Sequence, residues 1–325
     1  MTMRVDWMSG VGTALVTPFL RDGSVDRECF RHLAERQIKG GVKILVPCGT
    51  TGESVTMSEA ERLHLIRMTV EVAHKLGAKV IAGTGSNNTA ATIDFTRKAR
   101  EAGADAALIV APYYNKPTQE GLFAHFGEIA KSVKGFPIML YNVPGRTASN
   151  ISAETTLRLA DKHENIVATK EASGNLSQVM EILAKRPKNF KVFSGDDATA
   201  VPFISLGGDG LVSVVSNEMP KETEAAMGLD NILSSQSLWD ATMAYWVADS
   251  LKRNKGSLVV HLNGGFHTEQ RLGTVEHLQK YKPDARILVV TMRYEKDFMS
   301  FDAQKHKGLG DFVILTDSTQ PRSAR

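Results

Sequence analysis

The sequence predicts an α/β fold: a (β/α)8 TIM barrel over residues 1–225, followed by a non-standard α/β extension over 226–325. Three observations carry that expectation. Eight short runs of β-branched and apolar residues recur along the first part of the chain, segments of helical periodicity separate them, and polar residues able to do chemistry stand where several runs end.

The runs lie at 13–16, 43–46, 79–82, 107–110, 137–141, 166–169, 191–193 and 210–214. Their spacing leaves room for a strand, a helix and two loops, the requirement of a right-handed parallel crossover. Between the second and third runs, 58–76 reads as a helix. Ala60, Leu63, Ile66, Met68, Val70 and Ala73 fall largely on one side, and Ser58 with Glu61 forms a capping box at its start. Gly40, Gly77 and Gly103 stand where such helices should end. An open doubly wound sheet would show a similar alternation. Against a dinucleotide-binding version of it, the first run is followed by Pro18-Phe19-Leu20, and no G-x-G-x-x-G opens a helix there. The lone Gly83-x-Gly85 reads as a tight strand-to-helix turn.

Composition narrows the function classes. With 42% hydrophobic and 23% charged residues in 325, the chain has an ordinary globular composition and room for one large domain and an appendage, or for two modest domains. Lys+Arg 39 against Asp+Glu 36 leaves only +3, which gives no electrostatic reason to expect a nucleic-acid or membrane-surface partner. Cys29 and Cys48 are too few for a disulfide framework and read as reduced, packed thiols. No apolar run approaches the length of a membrane span, and Met1 to Gly10 lacks the apolar core of a signal peptide, so a cytoplasmic enzyme is the expectation.

In a parallel barrel the site lies at the carboxyl ends of the strands. There the sequence offers Gly49-Thr50-Thr51-Gly52-Glu53, Pro112-Tyr113-Tyr114-Asn115, Tyr141-Asn142-Val143-Pro144-Gly145-Arg146 and Lys170-Glu171-Ala172-Ser173-Gly174. Lys170 ends a run that should be enclosed on both faces. Desolvation there would depress its pKa and leave part of it as the neutral amine that attacks a ketone; a salt bridge to Glu171 or another carboxylate is the other reading. Tyr141 ends the neighbouring run, within reach as an acid/base, although a tyrosine at a strand end also serves as a rim residue. Thr50 and Thr51, between two glycines, could turn their N–H groups toward a carboxylate and a hydroxyl toward the Tyr141 phenol; a simple turn is the alternative. Arg146 follows a Pro-Gly turn above the rim, where it either pairs with a second carboxylate or is merely solvated. Asp196 and Asp197 read as caps of the next helix, not as a metal pair. The loop Gly207-Gly208-Asp209-Gly210 is a poor phosphate cradle, since Asp209 would repel the anion and no basic residue is near in sequence.

Taken together, G-T-T-G-E at 49–53, P-Y-Y-N at 112–115, Y-N-V-P-G-R-T at 141–147, K-E-A-S-G-N at 170–175 and S-G-D-D at 194–197 resemble the dihydrodipicolinate synthase (4-hydroxy-tetrahydrodipicolinate synthase) family. The resemblance implies condensation of pyruvate with L-aspartate 4-semialdehyde in the diaminopimelate route to lysine. It implies that Lys170 forms the imine and that Tyr141 donates and accepts protons. Thr51 and Tyr114 would complete a proton relay, Tyr114 by reaching a neighbouring subunit's site, with Thr50 assisting. Arg146 would hold the semialdehyde carboxylate, and Gly195 and the Val212 carbonyl would border the pyruvate. A homodimer or homotetramer is implied, with no metal and no cofactor beyond the covalent imine. Glu59, Arg62 and Ala91, beside Asn87 and Tyr113, imply weak or absent feedback by lysine. Two further readings stand beside this one: a related pyruvate-dependent aldolase acting on another aldehyde, and a weakened barrel whose tail binds haem or a partner protein.

The tail departs from the family's helical ending. A helix is expected at 237–251, with Trp239, Met243, Trp246, Val247 and Leu251 as its apolar stripe, and strands at 258–262, 287–290 and 312–315. L-W-D-A-T-M-A at 238–244 and H-L-N-G-G-F-H at 261–267 resemble part of a ChaN-like, haem-binding uptake domain, with His267 read as a loop histidine in preference to a haem ligand.

Overall fold

The structure, a computed structural model, describes residues 3–226 and, beyond them, 243–245, 247–254, 256, 258–261, 268, 271, 273–295, 299, 300 and 302–317. The chain divides into two compact units, Met1–Ile232 and Leu233–Arg325.

The first unit is a closed barrel of eight parallel strands in sequence order: β1 (Gly10–Ala14), β2 (Ile44–Val46), β3 (Lys79–Gly83), β4 (Ala106–Val110), β5 (Ile138–Asn142), β6 (Ile166–Glu171), β7 (Lys191–Ser194) and β8 (Gly210–Ser213). Closure leaves no unpaired edge and gives every strand two neighbours. Seven strands lie within a residue or two of the expected runs. The first begins three residues earlier than its β-branched core, at Gly10. Packing explains the difference, because a Cβ at Gly12 would stand 3.3 Å from the Ile44 side chain. Small residues are admitted there because β2 presses close, against their weak strand propensity.

Alternation sorts each strand into two faces. Ile44, Val46, Leu108, Met139, Ala168 and Phe193 fill the barrel interior, while Leu45, Val80, Ile109, Leu140, Ile166 and Val192 pack outward against the helices. The helices are α1 (Arg27–Lys39), α2 (Glu59–Lys75), α3 (Thr89–Glu101), α4 (Gln119–Ser132), the single turn α5 (Pro144–Thr147), α6 (Ala153–Lys162), α7 (Leu176–Lys185), α8 (Ala200–Ser205) and α9 (Pro220–Ala226). Helix α2 opens on the expected capping box: the Ser58 side chain accepts from the Glu61 N–H, and Glu61 accepts from the Ser58 N–H at 2.8 Å. Its buried face is Leu65, Ile66, Met68, Thr69, Val72 and Ala73. Ala60 is exposed and Leu63 and Val70 only half-buried, so the apolar stripe read from sequence is rotated toward Thr69, whose hydroxyl is satisfied by the Leu65 carbonyl at 2.7 Å. Gly40 caps α1, while Gly77 and Gly103, just beyond α2 and α3, take φ of +80° and +96°, the left-handed conformation that favours glycine.

The closing seam between β8 and β1 is stapled by a buried polar chain. The Ser216 hydroxyl donates to Thr13 Oγ1 at 2.9 Å, and Thr13 donates to Gln37 Oε1 of α1 at 2.9 Å. Asn217 completes it, donating to the Ala14 carbonyl at 2.8 Å and accepting from the Val16 N–H at 3.2 Å.

Within the second unit, residues 243–245 and 247–253 are helical, a further helix spans Thr274–Tyr281, and strands Val290–Glu295 and Phe312–Asp317 form a parallel pair. The expected helix buries Ala244 and Ala248 against Leu278; Met243 and Leu251 are only half-buried, so the small residues make the contact and the larger ones flank it. Residues 258–261 form no strand, and the strand expected at 287–290 begins only at Val290. There the register is set by Asp311, which accepts from the Val289 N–H at 2.7 Å and pairs with Arg271. Trp239, Trp246, His267 and most of both tail motifs lie outside the described residues. Among the described residues no helix is long and apolar enough to cross a membrane.

Candidate active site

Strand β6 supplies the central group. All six of its residues are buried, and neighbouring side chains point to opposite faces. Lys170 enters the barrel, 4% exposed, opposite Tyr141 in the β5–β6 register. Its Nζ stands 4.3 Å from the centre of the Tyr141 ring. Burial drives the Lys170 pKa down to about 8; the negative charge of Asp197 opposes that fall and the positive charge of Arg146 reinforces it. At pH 7 a pKa near 8 leaves about one amine in eleven neutral, against about one in 3,000 for an ordinary lysine.

Glu171 faces the other way and is not the partner of Lys170. Asn142 Nδ2 donates to its two oxygens at 3.1 and 3.0 Å, Gln178 Nε2 donates at 3.0 Å, and the Ser173 N–H at 2.9 Å. Asn142 also accepts from the Ile151 N–H at 2.9 Å, so the buried carboxylate ties β6 to the segment 143–151 that carries Arg146. Of the two readings left open for Lys170, the salt bridge to Glu171 is thereby removed.

Tyr141 also lines a cavity of about 390 Å³, whose walls include Gly49, Thr50, Tyr113, Arg146 and Thr147. Burial raises the Tyr141 pKa, while a hydrogen bond from the Thr50 side chain and the Arg146 charge act to lower it. The expected contact between a 50–51 hydroxyl and the phenol is thus made by Thr50. Neither the Thr50 nor the Thr51 N–H donates to a protein acceptor among the described residues. Cys48 enters this turn in the left-handed conformation, φ +57°, and burial pushes its thiol pKa up to about 12, the packed and inert thiol expected.

The structure also fixes where the other predicted residues stand. Gly195 lies against the lysine, where a Cβ would come within 2.9 Å of Lys170 Cε and 2.7 Å of the Ala172 Cβ. Val212, in β8, is buried in the barrel interior. Thr51 is half-buried behind the cavity wall. Tyr114 is set apart, 89% exposed on a residue with φ +75°. Arg146 sits on the turn α5, exposed at the cavity rim.

One reading needs correction. Asp196 caps a turn as expected, accepting from the Ala198 N–H at 3.0 Å, but Asp197 does not: it accepts from the Ser213 hydroxyl and from the Val214 N–H at 2.9 Å, bridging β7 to the turn after β8. Asp209 does have basic neighbours in space, Arg186 and Lys191, which pair with it at the amino end of β8, remote from the mouth. Glu59 and Arg62 are occupied locally, Glu59 with Lys98 at 2.6 Å and Arg62 over the Phe95 ring. Sequence reasoning missed Val110 and Val143 on the cavity wall, although both continue by two residues the inward series of Leu108 and Tyr141.

A closed parallel barrel with a desolvated lysine beneath a tyrosine at its carboxyl-end mouth defines a class of protein, the barrel lyases that work through a Schiff base. The chain belongs to the Dihydrodipicolinate synthetase family, which residues 7–230 match. The 4-hydroxy-tetrahydrodipicolinate synthase of Koribacter versatilis (strain Ellin345) is 48% identical over 278 residues, covering 82% of this chain and 90% of that one. Among solved structures, the 4-hydroxy-tetrahydrodipicolinate synthase of Methylacidiphilum fumariolicum SolV is 37% identical with a TM-score of 0.69, over 84% of this chain and 94% of that one. The dihydrodipicolinate synthase of Aquifex aeolicus is 39% identical with a TM-score of 0.68, over 77% and 84%.

Proposed function

We infer that this chain is a lyase that condenses pyruvate with L-aspartate 4-semialdehyde to 4-hydroxy-tetrahydrodipicolinate, the lysine-pathway reaction of the synthases it matches. The observation that carries the chemistry is the buried Lys170 amine against Tyr141.

The neutral amine adds to C2 of pyruvate, and the carbinolamine loses water to give the iminium. A proton leaves C3, the enamine carbon attacks the aldehyde carbon of the semialdehyde, and the aldehyde oxygen takes up a proton. The semialdehyde's own amine then displaces Lys170 from C2, closing the ring and freeing the lysine. The lysine itself serves as electron sink, so the reading calls for no metal or other cofactor. In this scheme Tyr141 carries the protons, with Thr50 holding the phenol, and Thr51 and Tyr114 extend the relay. The unpaired N–H groups of Thr50 and Thr51 receive the pyruvate carboxylate, Gly195 and the Val212 carbonyl border it, and Arg146 holds the semialdehyde carboxylate. The exposure of Tyr114 supports its use by a second copy of the chain, hence a homodimer or homotetramer. Weak or absent response to lysine belongs to the same reading, since Glu59 and Arg62 are engaged elsewhere. A cytoplasmic location suits both substrates.

Borohydride added with pyruvate should fix a reduced adduct on Lys170, located by mass spectrometry, and Lys170→Arg should abolish it. Turnover with aspartate semialdehyde should fall at least about 1,000-fold in the same variant. An adduct on another residue, or none, removes the site.

A further inference from the structure

Asp197 touches neither the Lys170 amine nor the cavity wall, yet its carboxylate is fully engaged at the end of the barrel. It accepts from the Ser213 hydroxyl, from the Val214 N–H at 2.9 Å and from the Val215 N–H at 3.2 Å. Ser213 accepts in turn from the Ser216 N–H at 2.9 Å, and the Ser216 hydroxyl leads into Thr13 and Gln37. Four of these groups, Ser213, Ser216, Thr13 and Gln37, are wholly enclosed. The clamp therefore fixes the backbone that follows Val212, on β8, which β7 alone separates from the strand of the lysine. A turn held only by water would need none of it.

The second observation is electrical. The charged or titratable groups acting on the Lys170 amine are Tyr141 from β5, Arg146 from the turn after β5, and Asp197 from the turn after β7; Glu171 is directed outward. Asp197 is thus the one anion among them in the described structure. The imine step converts the neutral amine into a cationic iminium in an enclosed site, where a fixed anion stabilises the cation without reorganising.

We propose that Asp197 is a positioning residue for the imine step: its carboxylate clamps the turn after β8 beside the bound keto acid, and its charge favours the iminium formed on Lys170. This rests on the Schiff-base reading above. Nζ gains the bond to C2, the C2 oxygen leaves as water, and the positive charge stays on nitrogen within the field of Asp197, which gives up no proton.

Asp197→Asn keeps the shape and removes the charge. Borohydride trapping with pyruvate, followed against pH, should then show its acid limb moved to lower pH by about 0.5–1 unit, because the protonated amine loses its anion. Turnover should fall by up to about 100-fold. Ser213→Ala keeps the charge and weakens the clamp, so it should lower turnover and leave the limb in place. An Asp197→Asn limb that coincides with the parent's overturns the proposal, as does an equal shift in Ser213→Ala. Should Asp197→Asn fail to fold, Asp197→Glu becomes the test: it must keep the parent limb, and a downward shift there overturns the proposal. Absence of any adduct in the parent protein would instead overturn the Schiff-base reading itself.

Discussion

Lys170 carries a cost that the proposed chemistry requires. Its pKa, about 8 in the folded chain against 10.5 when free, makes the ammonium form unfavourable inside the barrel by roughly 3 kcal/mol. The sign follows from proton binding. Below the folded value both states hold the proton and the penalty is complete; between the two values the unfolded chain binds more protons, so stability rises with pH; above 10.5 the penalty is gone. Lys170→Met should therefore be inactive yet more stable than the parent at pH 7, by about 1–3 kcal/mol in urea denaturation, with the gain fading toward pH 10.5. A variant equally stable at every pH would mean that the amine is solvated. The position of Lys170 was legible in the sequence because a lysine closing an apolar run is rare and conspicuous. The role of Asp197 was not, since its partners Ser213, Val214 and Val215 are separated from it along the chain and meet it only across the β7–β8 turns.

At the scale of the element, β6 shows how one strand serves two purposes. Its inward face sets the amine against Tyr141 inside the barrel, and its outward face holds Glu171 in a buried amide cluster with Asn142 and Gln178. Removing the carboxylate strands the Ser173 N–H and leaves the Asn142 amide with only Asn150 and the Ile151 carbonyl as acceptors. Glu171→Leu should destabilise the protein by about 2–4 kcal/mol and raise KM for the semialdehyde more than for pyruvate, because the Arg146 segment loosens while Lys170 stays. Equal changes in both KM values would show that the segment is held by something else. Strand and helix positions were readable from periodicity and caps, as at Ser58–Glu61. Exact faces were less so: in α2, Thr69 takes a core position that an apolar count passes over, and in β1 Gly12 stands against Ile44 where propensity favours no glycine. In each case a neighbour's shape decided what local preference could not.

For the whole molecule, the two compact units suggest a division of labour: a catalytic barrel up to about residue 225 and an extension after it. If the barrel owes its core to its own eight strands, a chain ending at Ile232 should fold and trap pyruvate at a rate within about threefold of the full chain. Circular dichroism showing an unfolded or molten product would instead make the extension part of the barrel's stability. The fold class was legible because alternation repeats eight times; the extension, with short elements and no repeat, offered periodicity too little length to act on. The seam between the first strand and the last has a consequence for synthesis. Thr13 and Ser216 are 203 residues apart, so at roughly 5–20 residues per second the earliest strand waits about 10–40 seconds on the ribosome for its second neighbour. Throughout that interval the nascent chain exposes a flank ready to pair with a stranger, which makes slow translation, or a chaperone near the exit tunnel, matter most for residues 10–14.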